Sequence, residues 1–298
     1  MTHPIEVINL HHRYGRRVIY ESLNFTVKPG KIFGLLGKNG VGKTTLINIL
    51  MGFLRPTAGK CLVLGEDSHN LSPAARSRIG LLHEGHLAYE FMTIEQVEKY
   101  YSGFYPRWRK DLYYDLVNRM ELAPTHKIAN MSCGQRSQVV LGAILAQDPQ
   151  LMILDDYSMG LDAGYRRLFL DYLKEYVGNE EKTVFITSHI VQDMEKLVDE
   201  IIFIGKDGFL LQTSLDEFMT GFKQYRFTPE NNDRQLPARN EVIIGSDYDN
   251  SGQYINIYSF KTESEVSQHL AKNNFPVSKL KNIPMTLEDA FIGLMGKY

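Results

Sequence analysis

Cysteine is scarce: Cys61 and Cys133 are the two in 298 residues. That excludes a disulfide framework and makes a reducing compartment the default. Long apolar runs are also missing. No stretch approaches the roughly 20 residues that span a bilayer, so work at a membrane would need another chain as anchor. The first residues, Met1-Thr2-His3-Pro4-Ile5-Glu6, lack the basic and apolar regions of a signal peptide. Nor is there a surplus of positive charge. A net charge of −2 and a pI near 6.5 supply no basic face for nucleic acid. Internal repeats and low-complexity tracts are absent too. What remains is ordinary globular material, 43% apolar, and the length suits one full-sized domain plus an appendage.

The most informative stretch is Gly37-Lys38-Asn39-Gly40-Val41-Gly42-Lys43-Thr44. It has the spacing of a P-loop, in which successive backbone N–H groups converge on a phosphate that bulkier residues would block. Lys43 would reach the β- and γ-phosphates as a point charge, and Thr44 would offer its hydroxyl to Mg²⁺. A helix from Thr45 to about Leu54 would aim its positive N-terminus at the same anion. The apolar residues 31–36 read as the strand such a loop follows. The chain is therefore expected to bind a nucleoside triphosphate.

Elsewhere the first third reads as strands at 5–9 and 22–27, a Pro29-Gly30 turn, and a short buried strand at 79–82. Between 93 and 147 the texture is helical, with Ile94, Val97 and Tyr101 on one face and Leu112, Leu116 and Met120 on another. Residues 151–154 and 183–187 are continuously apolar, as strands buried on both faces of a parallel sheet are, and a helix at 165–177 lies between them. Residues 201–204 and 209–212 read as a hairpin across Lys206-Asp207-Gly208. Ser214-x-x-Glu217 then reads as a capping box. Polar sequence at 222–239 marks the expected domain boundary. Beyond it come strands at 241–244 and 254–258 and helices at 263–272 and 286–295, the last opened by Thr286-x-x-Asp289. Their core is expected around Val242, Ile244, Ile255, Ile257 and Phe291.

Four further motifs narrow the class. Leu151-Met152-Ile153-Leu154-Asp155 is a Walker B strand with Asp155 placed to hold Mg²⁺. Met131-Ser132-Cys133-Gly134-Gln135 precedes it and opens a helix, Gly160-Leu161-Asp162 follows it, and Ser188-His189 ends the next strand. With these motifs in order, residues 5–220 resemble the ATP-binding cassette (ABC) transporter ATPases. Phe104-Tyr105-Pro106-Arg107-Trp108 resembles the helical insertion of bacitracin- and lantibiotic-export ATPases. Met285-Thr286-Leu287-Glu288-Asp289-Ala290-Phe291 resembles the terminal helix of their C-terminal domain. The resemblance implies an α/β P-loop ABC-ATPase fold at 1–221, with an N-terminal antiparallel β subdomain and a helical subdomain at about 88–147. A small α+β domain would occupy 222–298.

The same resemblance implies roles. Tyr14 would stack on adenine, and the loop residues Gly37 to Thr45, Lys38, Asn39 and Val41 among them, would cradle the phosphates. Ser132, Gly134 and Gln135 would meet the γ-phosphate of ATP held by an opposite subunit, with Cys133 replacing the commonest version's first glycine. Asp162 would touch that partner's nucleotide site. Asp156 stands where relatives have Glu as general base or water-positioner, and the other reading makes it a second Mg²⁺-site carboxylate. Its carboxylate is one methylene shorter, and a misplacement of roughly 1 Å costs about 10²-fold in rate, so slow hydrolysis is expected. Tyr157 and Met159 replace Pro and Ser there. His189 would bond the γ-phosphate and the attacking water. Glu84 occupies the position of a Gln that senses Mg²⁺ and the permease.

Three local patterns are set aside. His83-Glu84-Gly85-His86 has the wrong spacing for a zinc hydrolase, Arg107-Trp108-Arg109-Lys110 reads as a solvated helix start, and His11-His12-Arg13 as a strand-edge surface. The expected function is a cytoplasmic ATPase subunit at the inner face of the cell membrane. It would use ATP and Mg²⁺, dimerise with a second copy or a paralogue, and power a separate transmembrane permease, with export as the direction. A regulatory or immunity ATP switch and the hydrolysis-weak half of a heterodimer are the competing readings.

Overall fold

The computed structural model describes residues 2–83, 89–158, 161–178, 182–208, 210–228, 235–249, 251–273, 275 and 279–296. In chain order the first elements are β1 (Ile5–Tyr14), β2 (Arg17–Val27), β3 (Ile32–Leu36), α1 (Lys43–Leu50), β4 (Ala58–Val63), β5 (Glu66–Asp67), α2 (Pro73–Arg76) and β6 (Ile79–Leu82). There follow α3 (Ile94–Ser102), α4 (Lys110–Asn118), α5 (Cys133–Ala146), β7 (Leu151–Leu154), α6 (Ala163–Gly178), β8 (Thr183–Thr187), α7 (Val191–Leu197), β9 (Glu200–Ile204) and β10 (Leu210–Ser214). The chain closes with α8 (Leu215–Gly221), β11 (Lys223–Phe227), β12 (Gly245–Tyr248), β13 (Ile255–Ser259), α9 (Glu263–Lys272), β14 (Lys281–Ile283) and α10 (Leu287–Met295). Two compact units result, Met1–Ile190 with Leu197–Gln212, and Val191–Lys196 with Thr213–Tyr298.

In the first unit, one sheet has the order β10-β9-β3-β8-β7-β6. β3 pairs in parallel with β8 and β9, and β7 with β6 and β8. Every residue of β3, β7, β8 and β9 is buried, which is why these strands are nearly continuous runs of Ile, Leu, Val and Phe. Parallel pairing has a consequence for function: the chain leaves β3, β7 and β8 at the same edge. The Gly37–Thr44 stretch, Asp155-Asp156 and Ser188-His189 are thereby delivered to one crevice.

A second sheet, β2-β1-β4-β5, is antiparallel. β1 runs beyond its expected end because Asn9 takes a left-handed conformation (φ 47) and the strand resumes after this irregularity. The Asn9 N–H donates to Asn24 Oδ1 at 2.7 Å. The bulge shifts the inward side from Ile5 and Val7 to Leu10 and His12. His12 is therefore buried, and β1 lies between β2 and β4, so the expected strand-edge surface at 11–13 is corrected. α1 starts at Lys43 and ends earlier than expected, where the N–H groups of Phe53 and Leu54 both turn back to Asn48 O.

α3, α4 and α5 share a core of their own, with Ile94, Val97, Tyr113, Val117, Ile128 and Val139 among its members. The inward face of α4 is Tyr113, Leu116 and Val117; Leu112 is only half-buried. Tyr113 takes that place because its hydroxyl donates to Ile94 O at 2.8 Å inside the core. Trp108 is not solvated as expected. It packs on this core, and its Nε1–H donates to Glu98 Oε1 at 3.0 Å.

The second unit carries the antiparallel sheet β12-β13-β11-β14. Its main segment starts at Thr213, and Phe218 of α8 packs there on Phe222 and Phe260. Ser214 caps α8 by accepting from the Glu217 N–H, while the Glu217 carboxylate accepts from the Thr213 hydroxyl. Residues 241–244 form no strand. Asn240 Oδ1 accepts from the N–H groups of Val242 and Ile243, 2.9 Å each, and this turn delays β12 to Gly245. The turn puts Ile243 rather than Ile244 in the core, beside Tyr225, Phe227, Ile255, Ile257, Val266 and Leu270. α9 and α10 open with full capping boxes at Thr262/Glu265 and Thr286/Asp289.

Candidate functional site

The loop between β3 and α1 is shaped by two glycines. A β-carbon on Gly37 would lie 2.6 Å from Ile204 O, and Gly42 sits at φ 112 with Ile19 Cγ2 2.6 Å from where its β-carbon would be. Only glycine meets both demands. The loop's carbonyls are taken up by donors. Lys43 Nζ donates to Gly37 O at 2.7 Å and to Lys38 O at 3.2 Å. From β2, the Arg17 guanidinium donates to Gly40 O at 2.8 Å, and the Tyr20 hydroxyl donates to Gly42 O. Outward carbonyls are the condition under which the N–H groups of such a loop can face an anion. Burial pushes the Tyr20 hydroxyl far above its ordinary pKa of 10.0, so it stays a donor.

The carboxylates after β7 are organised by one hydroxyl. Thr187 Oγ1 donates to Asp155 Oδ1 at 2.8 Å and accepts from the Asp156 N–H at 2.9 Å. Asp155 is 2% exposed, and its Oδ2 is buried with no hydrogen-bond partner among the described residues. An anionic oxygen so placed suits a hard divalent cation or one of its waters, with Thr44 on the same cleft. Asp156 adopts φ 48, a left-handed conformation that Asp tolerates better than most residues. Ser158 Oγ donates to Asp156 Oδ1 at 2.9 Å, and His189 Nε2 lies 3.4 Å from Oδ2.

Lys43, Thr44, the two carboxylates, Thr187 and His189 border one cleft of about 410 Å³. Of the residues singled out in the sequence, it brings together Tyr14, Asn39, Gly40, Gly42, Lys43, Thr44, Thr45, Asp155, Asp156 and His189. Gly37 and Lys38 serve the loop through their carbonyls, and Val41 is buried in the core beneath it. Tyr14 is half exposed, with its ring meeting the His12 ring edge-on at 4.8 Å.

Ser132, Gly134, Gln135 and Asp162 do not border this cleft. Ser132 and Gln135 form the capping box of α5, with Ser132 Oγ accepting from the Gln135 N–H at 3.2 Å and Gln135 Oε1 from the Ser132 N–H at 2.9 Å. Asp162 Oδ1 accepts from the N–H groups of Gly164 and Tyr165 at the start of α6. Glu84, and with it the His83-Glu84-Gly85-His86 pattern beyond His83, lies outside the described residues, as do Met159 and Gly160. Ser188, read with His189 as a motif, borders the cleft too, and sequence reasoning missed Arg17, Ile19 and Thr187, which complete the lining. The signal for Arg17 was available: Tyr14 and Arg17 are the closing pair of a two-residue hairpin, so a role for one places the other beside it.

Residues 20–158 match the family described as ABC transporter. The Nod factor export ATP-binding protein I of Rhizobium leguminosarum bv. viciae is 32% identical over 66% of this chain and 65% of its own length. The chain thus matches under two thirds of that relative. The protein of the same name from Cupriavidus metallidurans is 31% identical over 68% of this chain and 69% of its own length. That from Bradyrhizobium diazoefficiens is 27% identical over 98% and 96% respectively. Among solved structures, an ATP-binding subunit of an ABC transporter superposes with a TM-score of 0.64 at 22% identity, covering 74% of this chain and 92% of that one.

Proposed function

Because this chain belongs to the ABC transporter family, we propose that it is the ATP-binding and ATP-hydrolysing subunit of an exporter. It pairs with a second copy or a paralogue around two Mg-ATP and drives a separate transmembrane permease. One observation carries this reading. A single cleft gathers an aromatic ring, the P-loop, Thr44, two carboxylates and His189, while Ser132 and Asp162 lie away from it. The cleft is half of a site, and a second subunit offering its α5 N-terminus completes it.

The residues then divide the work. Tyr14 offers a flat face to adenine. Lys43 exchanges its loop carbonyls for the β- and γ-phosphates. Thr44 and the unpartnered oxygen of Asp155 are the groups that would hold Mg²⁺, which neutralises charge on the phosphate oxygens when bound. Asp156 receives the proton of the attacking water, and His189 fixes that water's position. The Ser132 end of α5 presents backbone N–H groups to the γ-phosphate bound by the partner. Nucleotide closes the dimer and hydrolysis reopens it.

Among the described residues no helix is long and apolar enough to cross a membrane, so the permease supplies the anchor at the inner face of the cell membrane. Its seat is the helical region. A cleft of about 380 Å³ there is bordered by Leu81, Tyr89, Tyr101, Tyr105 and Val139, and Phe91 and Phe104 are 73% and 64% exposed. Large aromatics left in solvent mark a surface that a partner covers. The relatives named for Nod factor export support export as the direction. Asp156, short and tied to Ser158, favours slow turnover, as in the weaker member of a heterodimeric pair. Light scattering of Asp156→Asn with and without Mg-ATP tests the pairing: a nucleotide-dependent dimer is expected, and a monomer at saturating ATP overturns it. Copurification from membranes with a protein bearing several apolar spans tests the permease.

A further inference from the structure

The nucleotide cleft holds a cation that none of the P-loop or Walker motifs includes. Arg17 opens β2 directly opposite Tyr14 across the β1–β2 turn, and its guanidinium donates to Gly40 O, on the P-loop, at 2.8 Å. We propose that Arg17 is a second phosphate-binding cation of this site, engaging the phosphate nearest the ribose while Lys43 serves the distal phosphates. This rests on the reading of the cleft as an ATP site.

The position argues first. The ring of Tyr14 marks the base end of the cleft, and the P-loop marks the phosphate end. Arg17 is paired with one and hydrogen-bonded to the other, and it borders the same cleft as Lys43 and Thr44. A nucleotide spanning those ends passes the guanidinium at the junction of ribose and triphosphate.

Chemistry argues second. A guanidinium carries five N–H donors in a planar fork that matches two oxygens of a phosphate. Among the described residues the bond to the neutral Gly40 carbonyl is its only hydrogen bond, and no carboxylate forms an ion pair with it. A permanent charge with most of its donors uncommitted, at the mouth of an anion site, is a binding group awaiting an anion. The existing bond also orients the fork beforehand, which lowers the entropy lost on binding.

A brace that merely holds Gly40 needs a donor and no charge. The two roles separate on substitution. Calorimetry with Mg-ATP and Mg-ADP at two salt concentrations is run on wild type, Arg17→Gln and Arg17→Lys, with thermal melts to show that each is folded. Arg17→Gln is expected to weaken both nucleotides alike, by roughly three- to tenfold, and to flatten the salt dependence. Arg17→Lys should keep most of both. Unchanged affinities in Arg17→Gln, or a loss with an unaltered salt slope, overturn the proposal. A loss confined to Mg-ATP overturns the assignment to the phosphate nearest the ribose. Lys43→Ala in parallel keeps the underlying reading separate. If it also binds like wild type, the ATP site itself is wrong; if it loses affinity while Arg17→Gln does not, only the role of Arg17 falls.

Discussion

His189 Nε2 stands 3.4 Å from Asp156 Oδ2, across the mouths of two neighbouring parallel strands, while the other oxygen of that carboxylate accepts from the Ser158 hydroxyl. The imidazole is half exposed and the carboxylate nearly buried. In the proposed function, one group would face arriving nucleotide and water, and the other would stand behind it as a proton acceptor. Asp156→Asn preserves shape and the Ser158 bond but cannot accept a proton. Turnover is expected to fall by about 10²–10⁴-fold, with ATP affinity unchanged, as read by phosphate release and calorimetry. An Asn variant with wild-type turnover would remove Asp156 from the chemistry.

Asp156→Glu makes the opposite trial of reach. The left-handed backbone at this position suits Asp, and the longer side chain loses the geometry of the Ser158 bond while gaining a methylene toward the water. Turnover above wild type, by phosphate release, is the expected result. A drop would mean that the backbone conformation here is adapted to Asp.

Lys43 holds two loop carbonyls through its ammonium, and in the proposed function those bonds would give way to bound phosphate. Lys43→Ala is expected to lose Mg-ATP affinity by roughly 10- to 100-fold, the worth of hydrogen bonds from a charged donor. Calorimetry reads this directly, and equal affinity would falsify the P-loop assignment.

His12 predicts a pH effect on stability. It is buried with neither ring nitrogen hydrogen-bonded among the described residues. Burial, aided by neighbouring His11, lowers its pKa below 6.5. The folded chain therefore keeps it neutral while the unfolded chain takes up a proton below about 6.5. Stability falls as pH drops from that value toward the folded pKa and levels off beneath it. Thermal melts between pH 7.5 and 5.5 should show a larger loss for wild type than for His12→Phe.

Much of this architecture is legible in the chain, for identifiable reasons. Strands β3, β7 and β8 are apolar throughout because both faces are covered, and the starts of α5, α9 and α10 carry reciprocal caps that a four-residue spacing reveals. Local exceptions hid the rest. The bulge at Asn9 inverts the alternation of β1 and buries His12. The side-chain turn at Asn240 moves β12 along the chain. Thr187 escaped notice because a hydroxyl ending a buried strand gains meaning only when Asp155 and Asp156 are brought beside it from β7. In the candidate site, contiguous motifs were readable, and a partner brought in from a strand distant in sequence, as Thr187 is, was not.

The second unit is expected to bear on turnover rather than on binding. Each group that borders the proposed ATP cleft, from Tyr14 to His189, belongs to the first unit. Yet α7 follows His189 closely in the chain and groups with the second unit, where Glu195 Oε2 accepts from the Leu287 N–H at 3.2 Å and Gln192 Nε2 donates to Glu288 at 3.1 Å. A chain ending at Gly221 removes α10 and both of those bonds. It should bind Mg-ATP within about twofold of wild type, since no phosphate-facing group is lost. Its turnover should fall, because the segment leading out of His189 has lost the helix that holds it. Glu195→Gln in the full chain is the milder version and weakens one of the two bonds. A folded truncation, checked by circular dichroism, that binds no nucleotide would show that the second unit is part of the ATP site itself. Unchanged turnover in both would show that α7 keeps His189 in place without help from α10.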